Sequence, residues 1–407
     1  MIDPKEMMAK LSIEDLCSTA ENYFVSISSD MRSLLSKPFS SLRDAPGLLE
    51  NVSLLLSGLY LGKSMTVLDF GAGTCWFSRF LNQLQCRTIS CDVSRTALEI
   101  GKRLFAEHPV IGDYVSEPRF LLFDGHTLDL PDNAVDRVVC FDAFHHIPNQ
   151  DEVLSEFARV LKDGGIAGFA EPGRFHSQAP TSQFEMKNFN ILENDVDLNE
   201  IFSIAQTKGF SHISCRLLNT MEVTLDDYNS LTADSADASL WHPVKSLKMN
   251  ALQRSVLENI RTATTMKSIF FLYKGAFVPD SRSHVGLAHS ITVDKDEAAV
   301  KPGEDLDILV RVANTGSARW LNENIRSIGV VGLGTHLYDK EMVLINHDFS
   351  RHELAKPLAP GETLEETITV RFDTRGTFIL AIDLLAEAIG WFEILGSQPR
   401  YLRVDVS

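Results

Sequence analysis

Between residues 65 and 170, short apolar runs alternate with stretches of helical periodicity. The runs are TVLDF, TISCDV, PRFLLFD, DRVVCFDAF and GGIAGFAEP. WFSRFLNQL, ALEIGKRLFAEH and DEVLSEFARVLKDGG stand between them. Buried strands separated by amphipathic helices build a parallel sheet covered on both faces. Gly164 and Gly165 read as the left-handed cap of the last of these helices. Upstream, Leu and Met recur at three- and four-residue spacing, broken at Pro38 and at Pro46 and Gly47. That pattern predicts a helical extension over 1–60.

Beyond residue 175 the chain turns polar, then resumes with the helical LNEIFSIAQTKG. FSHISCRLL and KSIFFLYKG read as a strand pair closing one sheet edge, with an insert at 219–265 between them. From His284 the pattern changes to period-two alternation, as in HSITVD, LDILVRVANTG, ETITVRFD and YLRVDV, punctuated by KPGED, LAPGET and DTRGT. Short strands at that spacing predict an all-β sandwich over 284–407, with Trp320 facing its core. The expected domains are a helical extension or lid at 1–60, an α/β domain at 61–279 and the sandwich.

Composition narrows the function. A chain of 407 residues exceeds one ordinary core, which suits this division. A net charge of −17 argues against a nucleic-acid partner. Six cysteines form no CxxC pair, and free thiols in apolar runs fit a reducing cytoplasm. The N-terminal MIDPKEMMAKLS lacks the order of a signal peptide. VSLLLSGLYL is too short to span a bilayer, so no membrane insertion is expected.

The chemistry concentrates in VLDFGAGTCWFSRFL, at 67–81. A dinucleotide turn needs a third glycine where Trp76 stands, and a Walker loop needs a lysine that is missing. What survives is an acid two positions before G-A-G, at a strand end that leads into a helix. With its downstream landmarks, this resembles the class I S-adenosylmethionine-dependent methyltransferases. The resemblance implies an α/β, Rossmann-like, seven-stranded sheet, to which the patterns above add the helical extension before it and a sandwich, itself resembling immunoglobulin-like modules, after it. It implies that Asp69, Gly71, Ala72 and Gly73 hold the methionine end of S-adenosylmethionine. Asp92, with Val93, would hold the ribose, Asp124 and Gly125 the adenine edge, and Phe141 would lie in the segment closing over the cofactor. Cys75 stands where the family usually has glycine, and the sequence offers no role for it.

Catalytic candidates must come from the ends of the fourth and fifth strands: His145, His146, Glu171 and, just beyond, His176. No spacing of ligands demands a metal. The extra walls of helix and polar chain suggest a sizeable acceptor. The sandwich resembles accessory modules of polysaccharide-biosynthesis enzymes, which implies a hydroxyl of a sugar or glycan as acceptor; its Trp391 and Phe392 either stack on sugar rings or fill the sandwich core or a subunit interface. Two alternatives stand beside this reading. One is a methyltransferase for a small metabolite or amine, with the sandwich joining a homo-oligomer; the other is a non-catalytic cofactor-binding module.

Overall fold

The computed structural model describes residues 1–111, 116–217, 225 and 251–407. Most of the insert expected at 219–265 lies outside the described residues; its end is a helix, Ala251–Met266. The first sheet comprises β1 (Thr66–Phe70), β2 (Arg87–Asp92), β3 (Arg119–Leu122), β4 (Val135–Phe141), β5 (Leu161–Pro172), β6 (Phe210–Arg216) and β7 (Lys267–Lys274). Their order is β3-β2-β1-β4-β5-β7-β6, with only β7 antiparallel to its neighbours. Every residue of β1 is buried, as a central strand covered on both faces requires. The order reverses between β1 and β4, so a crevice opens at their carboxyl ends.

Helices α1 (Pro4–Met8), α2 (Ile13–Ile27), α3 (Met31–Leu35) and α4 (Ala45–Leu59) form the extension. A reciprocal Ser12–Asp15 capping box starts α2. Helix α4 lies on β5 and β7, where Gly58 admits the Phe271 ring: a Cβ there would stand 2.1 Å from it. The helices between strands are α5 (Trp76–Gln83), α6 (Arg95–Glu107) and α7 (Gln150–Val160), and α8 (Pro180–Phe189) and α9 (Leu198–Thr207) follow β5. The end of α7 corrects the sequence reading. The helix stops at Val160, Leu161 is already extended, and Gly164, at φ 75°, sits in a bulge of β5. Its left-handed backbone serves a strand irregularity, where a Cβ would meet the Ala276 carbonyl at 3.1 Å.

The all-β part packs a three-stranded sheet on a six-stranded one. The first holds β8 (His289–Val293), β10 (Asp305–Asn314) and β13 (Thr363–Arg371). The second holds β9 (Glu297–Val300), β11 (Val331–Asp339), β12 (Leu344–Glu353), β14 (Gly376–Ala386) and β16 (Arg400–Val406), with β15 (Gly390–Trp391) paired to β14. Trp320 is fully buried in the core between them, as its flanking pattern predicts. Trp391 and Phe392 do not form an exposed sugar platform. Phe392 is fully buried, edge-on to Trp320, and Trp391 is 8% exposed.

The two parts join at the amino ends of the central strands. Arg282 Nη2 reaches Asp136 Oδ1 at 2.9 Å, and Asp136 Oδ2 accepts from the Thr66 amide at 2.8 Å. Lys162 lies 3.0 Å from the same carboxylate. These cations outweigh burial and hold Asp136 down at about 2. Lys63 Nζ donates to the Ala388 carbonyl, and Asn324 Nδ2 to Ser64 Oγ, along the same seam.

Candidate active site

At the carboxyl ends of β1 and β4 lies a cavity of ≈ 780 Å³. The loop after β1 turns through Gly71 at φ 69° and Gly73 at φ 52°. At Gly71 a Cβ would stand 2.4 Å from that of Ala143, so the loop tolerates no larger residue there. Cys75 follows at φ 60°, a left-handed position unusual for a side-chain-bearing residue. Its buried sulfur occupies space that Gly101, inside α6, leaves open; a Cβ on Gly101 would lie 2.3 Å from Sγ. Cys75 therefore wedges the loop against α6. Burial pushes its thiol well above the usual value, which makes it an inert packing group.

Two carboxylates at this end are buried. Asp69 is 2% exposed and accepts from Ser78 Oγ at 2.6 Å; burial raises it to about 7. Asp92 takes the Gly73 amide on one oxygen and the Ser94 amide on the other, each at 2.8 Å, and burial raises it to about 6. Desolvation outweighs every hydrogen bond at both sites. A cavity lined by two such groups suits a ligand that brings positive charge and hydroxyls, and S-adenosylmethionine, with its sulfonium, ammonium and ribose, brings both. Ala72, Val93, Gly125 and Phe141 line the same cavity.

Helix α2 closes one side. Glu21 accepts from Ser94 Oγ and Thr96 Oγ1, each at 2.6 Å, and from the Thr96 amide at 3.1 Å. Phe24 thereby stands over Gly73, while Ile13 and Cys17 stand over Gly125. No sequence motif marked Glu21.

The expected catalytic residues separate on inspection. Glu171 is fully buried and not among the cavity-lining residues. It accepts from the backbone amides of Ala143, Phe144 and His145, and from His145 Nδ1 at 2.7 Å. His145, His146 and His176 all line the cavity. Burial opposes charge on His145, but the Glu171 hydrogen bond together with the charges of Glu171, Asp142 and Glu193 outweighs it and raises the imidazole. His146 moves the other way, through burial first and the neighbouring His145 second. Its Nδ1 donates to the Leu192 carbonyl at 2.6 Å, which leaves Nε2 as the unprotonated nitrogen of the neutral ring.

Glu193, which sequence reasoning missed, lies between the three histidines. It is 2.6 Å from His176 Nε2, 3.8 Å from His145 Nε2 and 3.7 Å from His146 Nδ1. Asp124 is exposed and absent from the cavity lining; its Oδ1 accepts the His126 and Thr127 amides in a tight turn.

Comparison with known proteins agrees with this geometry. Residues 68–169 match a family described as a methyltransferase domain. A curated relative, methyltransferase GfsG of Streptomyces halstedii, is 34% identical over 107 residues, covering 26% of this chain and 37% of its own. The sarcosine/dimethylglycine N-methyltransferase of Halorhodospira halochloris is 32% identical over 113 residues, 28% of this chain and 39% of its own. The matches thus span little more than a third of those relatives. A solved phosphoethanolamine N-methyltransferase 2 of Haemonchus contortus, in complex with S-adenosyl-L-methionine, aligns over 65% of this chain and 60% of its own, with 16% identity and a TM-score of 0.43. The strand order, the buried acids beside the glycine loop and the family match together define a class I, S-adenosylmethionine-dependent methyltransferase domain. Among the described residues, no helix is long and apolar enough to cross a membrane.

Proposed function

We propose that the protein methylates a hydroxyl group of a polar, sugar-like acceptor, with His146 as the general base. S-adenosylmethionine, when bound, supplies a methyl group activated on a sulfonium. Asp69 and the 71–73 loop receive its charged methionine end, and Asp92 its ribose hydroxyls. Gly125 and the residues of α2 above it enclose the adenine side, with Asp124 at the rim.

The observation that carries the reading is the fixed geometry of His146 at the cavity wall. With Nδ1–H held by a backbone carbonyl, the ring offers Nε2 to an acceptor proton. His145 is less available for that role, because its Nδ1 is bonded to Glu171 and its Nε2 faces Glu193 at 3.8 Å. Burial first and His145 second lower the His146 imidazole, while Glu193 and Asp142 moderate the effect. Glu171 is a positioning residue: it pins the 143–145 turn and the His145 tautomer. His176, Ser182 and Glu193 supply the donors and acceptors that a polyhydroxylated acceptor requires. Nothing is asked of the sandwich in binding the acceptor, because it meets the sheet at the opposite strand ends.

The test is turnover with labelled cofactor on panels of sugar, polyol and amine acceptors. His146→Gln should lower hydroxyl methylation by roughly 10²–10⁴-fold, with affinity for S-adenosylhomocysteine unchanged. In the parent protein the rate should rise with pH through a midpoint below the ordinary imidazole value. Full activity in His146→Gln would refute the base assignment. Methylation of amines alone would refute the acceptor class.

A further inference from the structure

Among the described residues, two groups bring three metal-binding side chains together: His145, His176 and Glu193 in the cavity, and His336, His347 and Glu393 in the sandwich. In the first, His176 bonds Glu193, and His145 is bonded through Nδ1 to Glu171, outside the group. The second is different. His336 is fully buried, and its Nε2 has no hydrogen-bond partner. Its Nδ1 donates to the His347 carbonyl, which fixes the tautomer and leaves Nε2 with a lone pair. That lone pair faces an acceptor, Glu393 Oε1, at 3.6 Å. Two acceptors in a buried setting need a proton or a cation between them.

The backbone is arranged to make this meeting. The β11–β12 pairing jumps from Thr335↔Ser350 to Leu337↔Asn346, so the residues from His347 to Phe349 face His336 alone. This bulge brings the two imidazoles to 4.5 Å between ring centres. Glu393 arrives from the short 3₁₀ turn after β15. Trp391 walls the group, 4.1 Å from the His336 ring and 5.5 Å from that of His347, seated where Gly334 leaves room.

We propose that His336, His347 and Glu393 bind a divalent cation of the zinc type, which ties β11, β12 and the turn after β15 together. One ligand atom from each residue falls within 4.8 Å of the others. Tetrahedral ligands at about 2.1 Å from a metal stand about 3.4 Å apart, close to the His336–Glu393 spacing. Two imidazoles and one carboxylate prefer zinc and its neighbours to magnesium or calcium. The backbone-bonded Nδ1 of His336 and the tryptophan wall are the outer shell such a ligand needs. A fourth position is left for water.

The full-length chain, stripped with a chelator, would be titrated with Zn²⁺ by calorimetry and followed by thermal unfolding, with Co²⁺ as a visible probe. One Zn²⁺ per chain should bind, raise the unfolding temperature and give the intense bands of four-coordinate cobalt. His347→Ala and Glu393→Gln change residues with solvent access and leave the core intact. Each should weaken Zn²⁺ binding at least about tenfold and remove the thermal gain. Glu193→Gln, in the cavity cluster, should leave both unchanged. Absence of Zn²⁺ binding would overturn the proposal, as would binding that survives His347→Ala and Glu393→Gln or is lost in Glu193→Gln.

Discussion

Asp69→Asn should stabilise the free protein while weakening its hold on the cofactor, and the stabilisation should depend on pH. Burial lifts the Asp69 carboxyl from 3.8 to about 7. Between those values the folded chain holds a proton that the unfolded chain has released. Stability of the free protein therefore falls as pH rises from about 4 to about 7, then levels off. At about 1.4 kcal/mol per pH unit, ionised Asp69 costs about 4 kcal/mol at about pH 8; water in the open cavity trims this to roughly 2–4 kcal/mol. Asparagine keeps an oxygen for Ser78 Oγ and never ionises. The variant should match the parent within about 1 kcal/mol near pH 4 and exceed it by about 2–4 kcal/mol near pH 8. Urea unfolding of cofactor-free protein at both pH values measures the difference, and groups common to the two proteins cancel. Calorimetry with S-adenosylhomocysteine at about pH 8 should show weaker binding to the variant, by about 1–3 kcal/mol. A stability difference that is flat with pH, or a variant less stable near pH 8, would refute the reasoning.

Two further perturbations probe packing. Gly101→Ala places a methyl against the Cys75 sulfur and should cost about 1–3 kcal/mol in thermal or urea unfolding; adding Cys75→Gly should restore most of it, and a double variant as unstable as the single would contradict the wedge. Asp136→Asn takes the shared anion from Lys162, which is partly exposed, and from Arg282, which keeps Asp280 at 2.7 Å, and should cost about 1–3 kcal/mol. In the parent, Asp136 lies below its unfolded value, so its contribution is complete above about pH 4 and fades only as pH falls toward 2, which acid titration of the two proteins should show.

The sheet was legible because each strand is an uninterrupted apolar run and each crossover an amphipathic helix; those signals are local. Gly71, Gly73, Asp69 and Asp92 were legible because a turn between strand and helix constrains residue type by backbone geometry alone. The histidine network was half visible. His145, His146 and His176 could be picked by position, but Glu193 sits in ILEND with no local signal, and only the fold carries it between them. Glu171 misled for a related reason: a carboxylate at a strand end reads the same whether it faces the cavity or caps a buried turn. For Trp391 and Phe392 the sequence left core and surface both open, because a short strand followed by a 3₁₀ turn breaks the alternation that assigns side chains to faces; both lie in the core. Cys75 needed its partner Gly101, which lies in a different helix.

The seam at Asp136 gives the molecule a front and a back. The clamp grips the first residues of β1 and β4, and the cavity opens beyond the last residues of the same strands. The two ends of β1, a strand of five residues, stand about 13 Å apart. While the clamp holds, a surface or partner that captured the sandwich would present the cavity mouth away from itself. A molecule held from behind in this way would keep its cavity accessible from the open side.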